Sequence, residues 1–466
     1  MTHSHWLVAL AIVALAAGPG AAAGNGQTLL VTGGLVVTMD AADTVIPAGA
    51  VAIQEGAIVA VGTAAALDQR FPTARRLDAT GRIVMPGLVN AHTHVPMTLF
   101  RGVADDLDLE GFLYRRIFPA EAALVDETFV RWGTRLACLE LLRGGVTTFV
   151  DMYYFEDAVA EEADRAGLRA VVGETLLDVP APDNPTWEAA LAYTGRFLQR
   201  WRGHPRITAA VAPHATYTVS APHLAEAHRL AAAHDAPLLI HLAEARSEVA
   251  TIRERHGLGP VEFLASLGIL GHRTLAAHMI YPTPAEIALL ARHRVGVAHC
   301  PQSNMKVAAG IAPIPALLAA GVAVGLGTDG SASNNDLSLW EEMDTAAKLH
   351  KVSSGDPTVL PARTVLAMAT RLGAEAVGLG QRIGSLEPGK RADLILVRTD
   401  GLHQIPMYDP ASLLVYATKA SDVDTVLVDG QVVVAGGRVL TVDEGVVRQQ
   451  VAAYRERVAR VIGTSR

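Results

Sequence analysis

The 466-residue chain contains only two cysteines, Cys138 and Cys300, and no cluster of lysine and arginine residues. Two cysteines in apolar surroundings cannot form a disulfide framework, and we expect two buried free thiols. The net charge of −8 and the lack of a basic cluster argue against a nucleic-acid polymer as partner. Half of the residues are apolar, which indicates a globular protein with one large and one smaller domain.

The sequence also has no apolar run long enough to span a bilayer, so we expect no stable membrane span. The apolar run 6–17 is followed by the small residues 21–24, which is typical of a signal peptide. We predict that residues 1–23 are removed and that the protein is periplasmic or secreted. His3 and His5 stand where such a leader usually has Lys or Arg. The alternative is a cytoplasmic protein with an apolar extension added by an upstream start codon.

Short β-branched runs separated by turns occupy both ends of the chain. An Asp429-Gly430 pair within the last of these runs is a signal for a two-residue hairpin turn. We therefore predict one small β domain that is assembled from both termini and comprises residues 24–86 and 385–466. The strand-like runs that support this prediction are 35–39, 57–61, 392–397 and 425–434.

The middle of the chain, 87–384, alternates apolar strand-like runs with amphipathic helical stretches. Repeated strand and helix units indicate a parallel sheet, and about 300 residues of them favour a closed (β/α)8 barrel over an open sheet. The predicted fold class is therefore α/β. Active sites of such barrels lie at the C-terminal ends of the strands. The polar residues at or just beyond the ends of apolar runs are His92, His94, Asp151, His214, His241, His278, His299 and Asp329.

Three histidines and one aspartate of this set form a predicted metal site. His92 and His94 are separated by one residue at the end of a strand, and alternation along a strand puts both imidazoles on one face. Two histidines separated by one residue are, by themselves, more often structural than metal-binding. His241 and Asp329, however, also lie at the ends of predicted strands. Imidazole and carboxylate suit a borderline divalent cation. We predict one ion, with Zn²⁺ as the default and Fe²⁺ or Mn²⁺ as alternatives.

Glu244 and His278 are the predicted catalytic partners of the metal, together with Asp329. Glu244 follows His241 by three residues, where it can donate a proton to the substrate and then to the leaving group. The alternative role for Glu244 is that of an acidic residue in the first turn of a helix. His278 can hydrogen-bond the attacking water or be a structural core histidine. Asp329 can bind metal and accept the water's proton, or cap a helix.

These residues stand in longer stretches that resemble the amidohydrolase superfamily and, within it, the 5-methylthioadenosine/S-adenosylhomocysteine deaminase branch. The resemblance extends from Thr28 to the C-terminus and is highly specific for the superfamily. The stretches that carry it are PGLVNAHTH at 86–94, RGVADDL at 101–107, PH at 213–214, HLAE at 241–244, CPQSNMK at 300–306, GTDGSASNND at 327–336 and EPGKRADL at 387–394.

The resemblance implies a barrel with a composite β-sandwich and a site for one metal ion at the four predicted ligands. A second metal ion would need a barrel lysine that carries a bridging carbamate. The resemblance assigns this role to no lysine of the chain, so a second ion is not expected. It also implies that Glu121 and His214 contact the nucleoside part of a substrate, while Glu244 and Asp329 contact the reacting ring. The implied reaction is hydrolytic deamination, in which a metal-activated water attacks a ring carbon and expels ammonia.

One departure from the family pattern concerns the substrate. Family members often have an arginine in the segment where this chain has Gly173 and Glu174, and that arginine helps to hold an amino-acid carboxylate. The negative charge of Glu174 should also disfavour an anionic tail, so we expect 5-methylthioadenosine or adenosine to be a better substrate than S-adenosylhomocysteine. The enzymatic alternative is a related amidohydrolase acting on guanine, a cytosine analogue, an s-triazine or a cyclic amide. The alternative from another class is a non-catalytic barrel that serves as a binding or assembly module. This hypothesis requires that a metal ligand or Glu244 be missing, and all of them are present in the sequence. Relatives often form homo-oligomers.

Overall fold

The computed structural model describes residues 27–463, and the predicted signal peptide lies outside the described residues. Two sheets organise this part of the chain, one mixed with nine strands and one parallel with eight. Both Cys138 and Cys300 are buried free thiols, as expected. Among residues 27–463, no helix combines the length and the apolar character needed to cross a membrane.

The mixed sheet takes strands from both ends of the chain. Glu55 and Gly56 both have positive φ and form a two-residue hairpin turn. Along the first strand, Leu29 and Val31 join one apolar cluster and Leu30 joins another, because successive side chains point to opposite faces. The N-terminal elements are β1 (Leu29–Val37), β2 (Val45–Gln54), β3 (Ala57–Thr63), α1 (Ala64–Arg70), β4 (Arg75–Asp78) and β5 (Arg82–Pro86).

The parallel sheet forms the barrel. Its strands are β6 (Leu88–Thr93), β7 (Val146–Tyr153), β8 (Arg169–Leu176), β9 (Ile207–Pro213), β10 (Leu238–Leu242), β11 (Thr274–His278), β12 (Gly296–His299) and β13 (Val324–Leu326). Each strand pairs with the next one along the chain. The Asp329 N–H donates to the His92 carbonyl over 2.9 Å and so joins the ends of β13 and β6. The predicted α/β barrel is confirmed.

Helices connect the strands and cover the barrel. The chain enters α3 at Asp126, whose carboxylate caps the helix by accepting from the Phe129 N–H over 2.7 Å. The elements are a 3-10 helix (Val95–Phe100), a π-helix (Gly111–Ile117), α2 (Phe118–Leu124), α3 (Glu127–Arg143), α4 (Glu156–Ala166), α5 (Trp187–Arg200), α6 (Ala221–Ala233), α7 (Arg246–His256), α8 (Pro260–Ser266), α9 (Pro284–His293), α10 (Pro301–Lys306), α11 (Ile314–Ala319), α12 (Leu339–Ser354), α13 (Ala362–Met368) and α14 (Arg371–Ala376).

The C-terminal segment returns to the mixed sheet and then to the barrel. Its elements are β14 (Leu394–Arg398), α15 (Pro410–Tyr416), a 3-10 helix (Ala420–Asp422), β15 (Val423–Val428), β16 (Gln431–Ala435), β17 (Arg438–Val439) and α16 (Glu444–Ile462). β14 pairs with β5, and Asp429 and Gly430 have the positive φ of the predicted hairpin turn. α16 packs on the barrel, with Tyr454 5.5 Å from Phe129 between ring centres. The residue limits of the two domains stay a prediction.

Candidate metal centre

The C-terminal ends of the barrel strands carry the predicted metal ligands. His92 lies at the end of β6 and His94 just beyond it, His241 lies in β10, His278 ends β11, and Asp329 follows β13 by three residues. One donor atom from each of His92, His94 and His241 lies within 4.8 Å of the others, and the same holds for His92, His278 and Asp329. The fold therefore brings five side chains from four strand ends into one cluster.

The donor atoms of this cluster face one another. Asp329 Oδ1 is 3.2 Å from His94 Nε2 and 3.6 Å from His92 Nε2. His241 Nε2 is 3.4 Å from His94 Nε2. The ring of His92 stands edge-on to those of His94 and His241, with centroids 4.8 and 5.0 Å away. The geometry concentrates lone pairs and one carboxylate oxygen around a single point.

Hydrogen bonds at Nδ1 of two of these imidazole rings determine which ring nitrogen faces the centre of the cluster. His94 Nδ1 lies 2.6 Å from the Met152 carbonyl oxygen, and His241 Nδ1 lies 2.8 Å from that of His214. A carbonyl only accepts, so Nδ1 carries a proton in each ring, and Nε2 of the neutral ring presents a lone pair. Two lone pairs 3.4 Å apart repel unless a proton or a metal cation lies between them. His92 Nε2 is buried and has no hydrogen-bond partner within the described part of the chain. The residues therefore fit a metal ion.

The carboxylate of Asp329 is held by hydroxyl groups. Its Oδ2 accepts from Ser303 Oγ at 2.7 Å and from Ser333 Oγ at 3.0 Å, which leaves Oδ1 turned towards the histidines. The Gly330 N–H donates to Oδ1 over 2.7 Å. Asp329 itself has φ of 61°, a left-handed conformation that costs a non-glycine residue free energy. These contacts fix the orientation of the carboxylate before any ion binds.

The electrostatics of the cluster favour an ionised aspartate, neutral imidazoles at His92 and His241, and a protonated imidazole at His94. Burial lowers the pKa of His92 to about 4 and that of His241 well below its usual value. Burial also opposes the charged form of His94, but the hydrogen bond and charge of Asp329 outweigh it and raise the pKa of His94 to about 9. The pKa of Asp329 is held well below its usual value by His92 and His94, although burial raises it. A divalent cation would replace the proton shared by His94 and Asp329.

Glu244 and His278 lie on one side of this cluster. Glu244 belongs to the loop between β10 and α7, not to a helix, and its Oε1 is 3.5 Å from His278 Nε2. His278 Nδ1 lies 2.9 Å from Asn304 Oδ1, so Nδ1 carries the proton and Nε2 is free to accept. Burial raises the pKa of Glu244, which favours its protonated form. The pair thus combines a proton donor with an acceptor.

Glu121 and His214 lie near the metal centre, as the sequence resemblance implies. Both line a small cavity of about 60 Å³ together with His94, Glu244 and Asp329. Glu121 Oε1 accepts from the Tyr153 hydroxyl over 2.7 Å, and burial raises its pKa to about 7. Burial lowers the pKa of His214 to about 3, so this ring is neutral.

Comparison with known proteins identifies the family. A model of the amidohydrolase family matches residues 83–433. The 5-methylthioadenosine/S-adenosylhomocysteine deaminase of Syntrophobacter fumaroxidans is 49% identical over 423 residues, which cover 91% of this chain and 96% of that protein. The chain belongs to the amidohydrolase family. The resemblance to its 5-methylthioadenosine/S-adenosylhomocysteine deaminase branch is also confirmed. A model of the imidazolonepropionase-like composite domain of bacteria matches residues 49–74.

Solved structures of other amidohydrolases have the same fold. An adenosine deaminase from Xanthomonas campestris with bound zinc is 40% identical, with a TM-score of 0.91, and the match covers 94% of this chain and 99% of that one. An atrazine chlorohydrolase from Arthrobacter aurescens complexed with zinc is 27% identical, with a TM-score of 0.84 and coverage of 91% and 99%. This amidohydrolase is a hydrolase of carbon–nitrogen bonds other than peptide bonds. Its histidine cluster and the zinc-bound relatives support a divalent metal.

Several contacts around the amidohydrolase site were not predicted. Glu248 Oε2 accepts from the Glu244 N–H over 2.8 Å, and its Oε1 accepts from Thr216 Oγ1 over 2.6 Å. Ser303 and Ser333 hold Asp329, as described above. The serines lie in stretches that carry the family resemblance, which was a usable signal. Glu248 had no comparable signal, because only the three-dimensional turn after β10 brings its carboxylate to the Glu244 backbone.

Glu174 does not face the substrate, although the family resemblance suggested that its segment contacts the end of the substrate. Its side chain is fully buried, with Oε1 accepting from Asn184 Nδ2 over 3.1 Å and Oε2 from the Glu156 N–H over 3.2 Å. Burial raises the pKa of Glu174 well above its usual value, which favours a neutral carboxyl. Glu174 is not among the described residues that line the cavities at the barrel mouth. The expectation that its charge disfavours an anionic substrate tail therefore loses its basis.

Proposed function

We propose that this amidohydrolase deaminates an aminated purine nucleoside of the 5-methylthioadenosine, adenosine or S-adenosylhomocysteine type and releases ammonia. The observation that carries the proposal is the convergence of His92, His94, His241 and Asp329 beside the buried carboxyl of Glu244. The deaminases among the relatives support the substrate class. We assign these four side chains as the metal ligands.

Zinc is the ion that we propose. Imidazole nitrogen and carboxylate oxygen are donors that zinc accepts, and two similar amidohydrolase structures contain zinc. Iron and manganese accept the same donors, so metal analysis must decide among them. When bound, such an ion makes water acidic enough, with a pKa of about 7, to attack near neutral pH.

Three side chains of this chain then handle protons. Burial raises the pKa of Glu244 and so favours its protonated form, which donates its proton to a ring nitrogen. This makes the amino-bearing carbon electrophilic. His278 Nε2 accepts a hydrogen bond from the attacking water and orients it, while Nδ1 of the same ring faces Asn304 Oδ1. Asp329 accepts one proton of that water. The Glu244 carboxylate then takes the remaining hydroxyl proton and gives it to the exocyclic amine, so that ammonia leaves as the carbonyl forms, and return of the Asp329 proton to Glu244 resets the site.

Glu121 and His214 are the proposed contacts for the nucleoside part of the substrate. The Glu121 carboxylate lies at the edge of the small cavity, where it can accept hydrogen bonds from sugar hydroxyls. The neutral ring of His214 lies 4.7 Å from that of His241 between centroids, so it is adjacent to the metal cluster. Both residues would position the ring over Glu244 and Asp329.

Amidohydrolases that act on other rings are the alternative. The atrazine chlorohydrolase shares the fold, but its identity to this chain is lower than that of the adenosine deaminase structure. Three relatives that are 45–49% identical over 88–92% of this chain are named as deaminases of 5-methylthioadenosine and S-adenosylhomocysteine. No finding favours guanine, a cytosine analogue, an s-triazine or a cyclic amide over a purine nucleoside.

An assay of ammonia release tests the proposal. Metal-loaded enzyme should convert 5-methylthioadenosine or adenosine to the corresponding inosine product, and the metal content should be close to one ion per chain. Guanine, cytosine and atrazine serve as competing substrates in the same assay. A preference for one of them by two orders of magnitude would contradict the nucleoside proposal but leave the metal site standing.

Export and assembly are further proposals. The apolar run 6–17 supports a signal peptide that is removed after residue 23, with the enzyme acting in the periplasm or outside the cell. Mass spectrometry of the protein from its native host should show an N-terminus near residue 24, and an intact N-terminus would contradict export. A homo-oligomer is expected by analogy with relatives, and the mass in solution tests it.

A further inference from the structure

Asp151 is fully buried near the C-terminal end of β7 and takes no part in the proton transfers proposed above. It pairs with Thr93, the residue between the two histidines at the end of β6. The Val95 N–H donates to Asp151 Oδ1 over 2.6 Å. The Thr93 hydroxyl lies 2.7 Å from the same oxygen and 2.7 Å from the Val150 carbonyl oxygen. One carboxylate oxygen therefore contacts the residues on both sides of His94.

These contacts lie where β6 departs from regular pairing with β7. Between Asn90 and Thr93 the first strand advances three residues while the second advances two, so β6 contains one extra residue. Such a β-bulge bends a strand and changes the direction of its side chains, often next to an active site. At the same strand end, the Met152 carbonyl oxygen lies 2.6 Å from His94 Nδ1. The end of β7 thus holds the bulged segment that carries both histidines.

Glu156 supports Asp151 from the start of α4 and is also fully buried. The two carboxyl groups are in hydrogen-bonding contact, and Asp151 Oδ2 has no other partner within residues 27–463. A hydrogen bond between two carboxyls requires a proton on one of them. Burial and the charge of Asp151 raise the pKa of Glu156 well above its usual value, so Glu156 carries that proton. Glu156 then donates to Oδ2 and leaves Oδ1 to the segment from β6.

We propose that Asp151 is a positioning residue that, with Glu156 beside it, fixes the bulge at the end of β6 and so directs the imidazoles of His92 and His94 towards the metal ion. The inference rests on the metal ligands of the proposed function and deepens that proposal. Neither carboxyl is among the described residues that line the small cavity over the metal centre, so neither contacts the substrate there. Their effect reaches the reaction through the two histidines.

Cobalt(II) binding separates this positioning role from general stability. The full chain is loaded with cobalt, whose visible absorption reports the arrangement of its ligands, and the affinity is measured by competition with a chelator. Asp151→Ala should weaken cobalt binding about tenfold to a hundredfold, the loss typical when a group that orients a metal ligand is removed, and should alter the spectrum. Asp151→Asn keeps an acceptor for the Val95 N–H and should stay within about threefold of wild type.

Two further variants test the contribution of Glu156, and a third is the matched control. Glu156→Ala should lower the cobalt affinity less than Asp151→Ala does. Glu156→Gln can still donate to Asp151 and should restore the affinity. Glu286→Ala removes another buried carboxyl, which accepts from the Val261 and Thr283 N–H groups, and this variant should bind cobalt like wild type.

Wild-type cobalt affinity and an unchanged spectrum in Asp151→Ala would overturn the positioning role while the metal ligands stand. The same loss in Glu286→Ala would also overturn it, because that result indicates a general effect of losing a buried carboxyl. If Asp151→Ala does not fold, equal cobalt affinities of Glu156→Ala and wild type overturn the role. Failure of the wild-type chain to bind cobalt would instead overturn the proposed metal site.

Discussion

The metal cluster and an adjoining outer chamber of about 1000 Å³ are built in opposite ways. Around the cluster almost every functional side chain has a partner that fixes it, as Ser303 and Ser333 fix Asp329 and Asn304 fixes His278. The chamber is lined mostly by apolar side chains of the loops that follow β8 and β9. The first region is attached to strand ends and the second to loops and helix ends.

This difference separates chemistry from selectivity. Proton transfer requires atoms held to a fraction of an ångström, and rigid strand ends with supporting hydrogen bonds provide that. Room for a variable part of the substrate requires no such precision, and loops can supply and exchange it without disturbing the barrel. Changes in the cluster should therefore affect kcat and metal content, whereas changes in the chamber should affect the choice of substrate.

Removal of a charge from the cluster should have the largest effect. Asp329→Asn keeps the shape of the side chain but removes its charge, so the enzyme should lose metal and more than about a thousandfold in kcat/KM. Elemental analysis and the ammonia assay measure both. Asp356→Asn, in an exposed loop, is the matched control and should keep full metal content. Full activity of Asp329→Asn would contradict the ligand assignment.

Glu244→Gln should have the second largest effect and should separate proton transfer from metal binding. The amide cannot donate the carboxyl proton, so kcat should fall by about two orders of magnitude or more while metal content stays intact. In wild-type enzyme kcat should also fall as the pH rises through the raised pKa of Glu244, because the protonated form is the active one. Near-full activity of Glu244→Gln would remove this proton role.

A smaller loss is expected at Glu248, which acts through Glu244. Ala243 has φ of 51°, and Glu248 holds the turn that follows it by accepting from the Glu244 N–H. Glu248→Ala should lower kcat about tenfold with little change in KM, because Glu244 is less well placed. Glu248→Gln keeps one acceptor and should recover part of the rate. Equal losses in both variants would indicate that the carboxylate has another role.

The smallest effect concerns Glu121, which lines both the small cavity over the metal centre and the chamber. Its pKa is raised to about 7 by burial, and the ionised form is the better acceptor for sugar hydroxyls. The value of kcat/KM should therefore rise as the pH increases through about 7. Tyr153→Phe removes a hydrogen bond that favours ionisation, so the rise should move to higher pH and cost threefold to fivefold at about pH 7. An unshifted profile would exclude this role of Glu121.

Much of the cluster could be predicted because its signals are local. His92, His241 and Asp329 each follow or end an apolar run, and parallel strands of a barrel must present such ends at the same mouth. The turn at Asp429 and Gly430 was likewise fixed by two residues whose backbone preference is strong. These inferences needed no knowledge of how distant segments pack.

The surroundings of the metal cluster could not be predicted, because they depend on how segments distant in sequence pack together. The side chain of Glu174 faces Asn184, which lies in a loop 10 residues further along the chain. The residues next to Glu174 and Asn184 in the sequence do not indicate that these two side chains meet. The packing of α16 on the barrel was hidden in the same way, because its apolar stripe does not say which surface it meets.

Anomalous X-ray diffraction from crystals of the metal-loaded enzyme tests the central claim most directly. The account predicts one strong peak per chain, enclosed by the Nε2 atoms of His92, His94 and His241 and by the Asp329 carboxylate. The absorption edge would identify the element at the same time. A peak elsewhere, or none in fully active enzyme, would contradict the claim that this cluster holds the ion on which the chemistry depends.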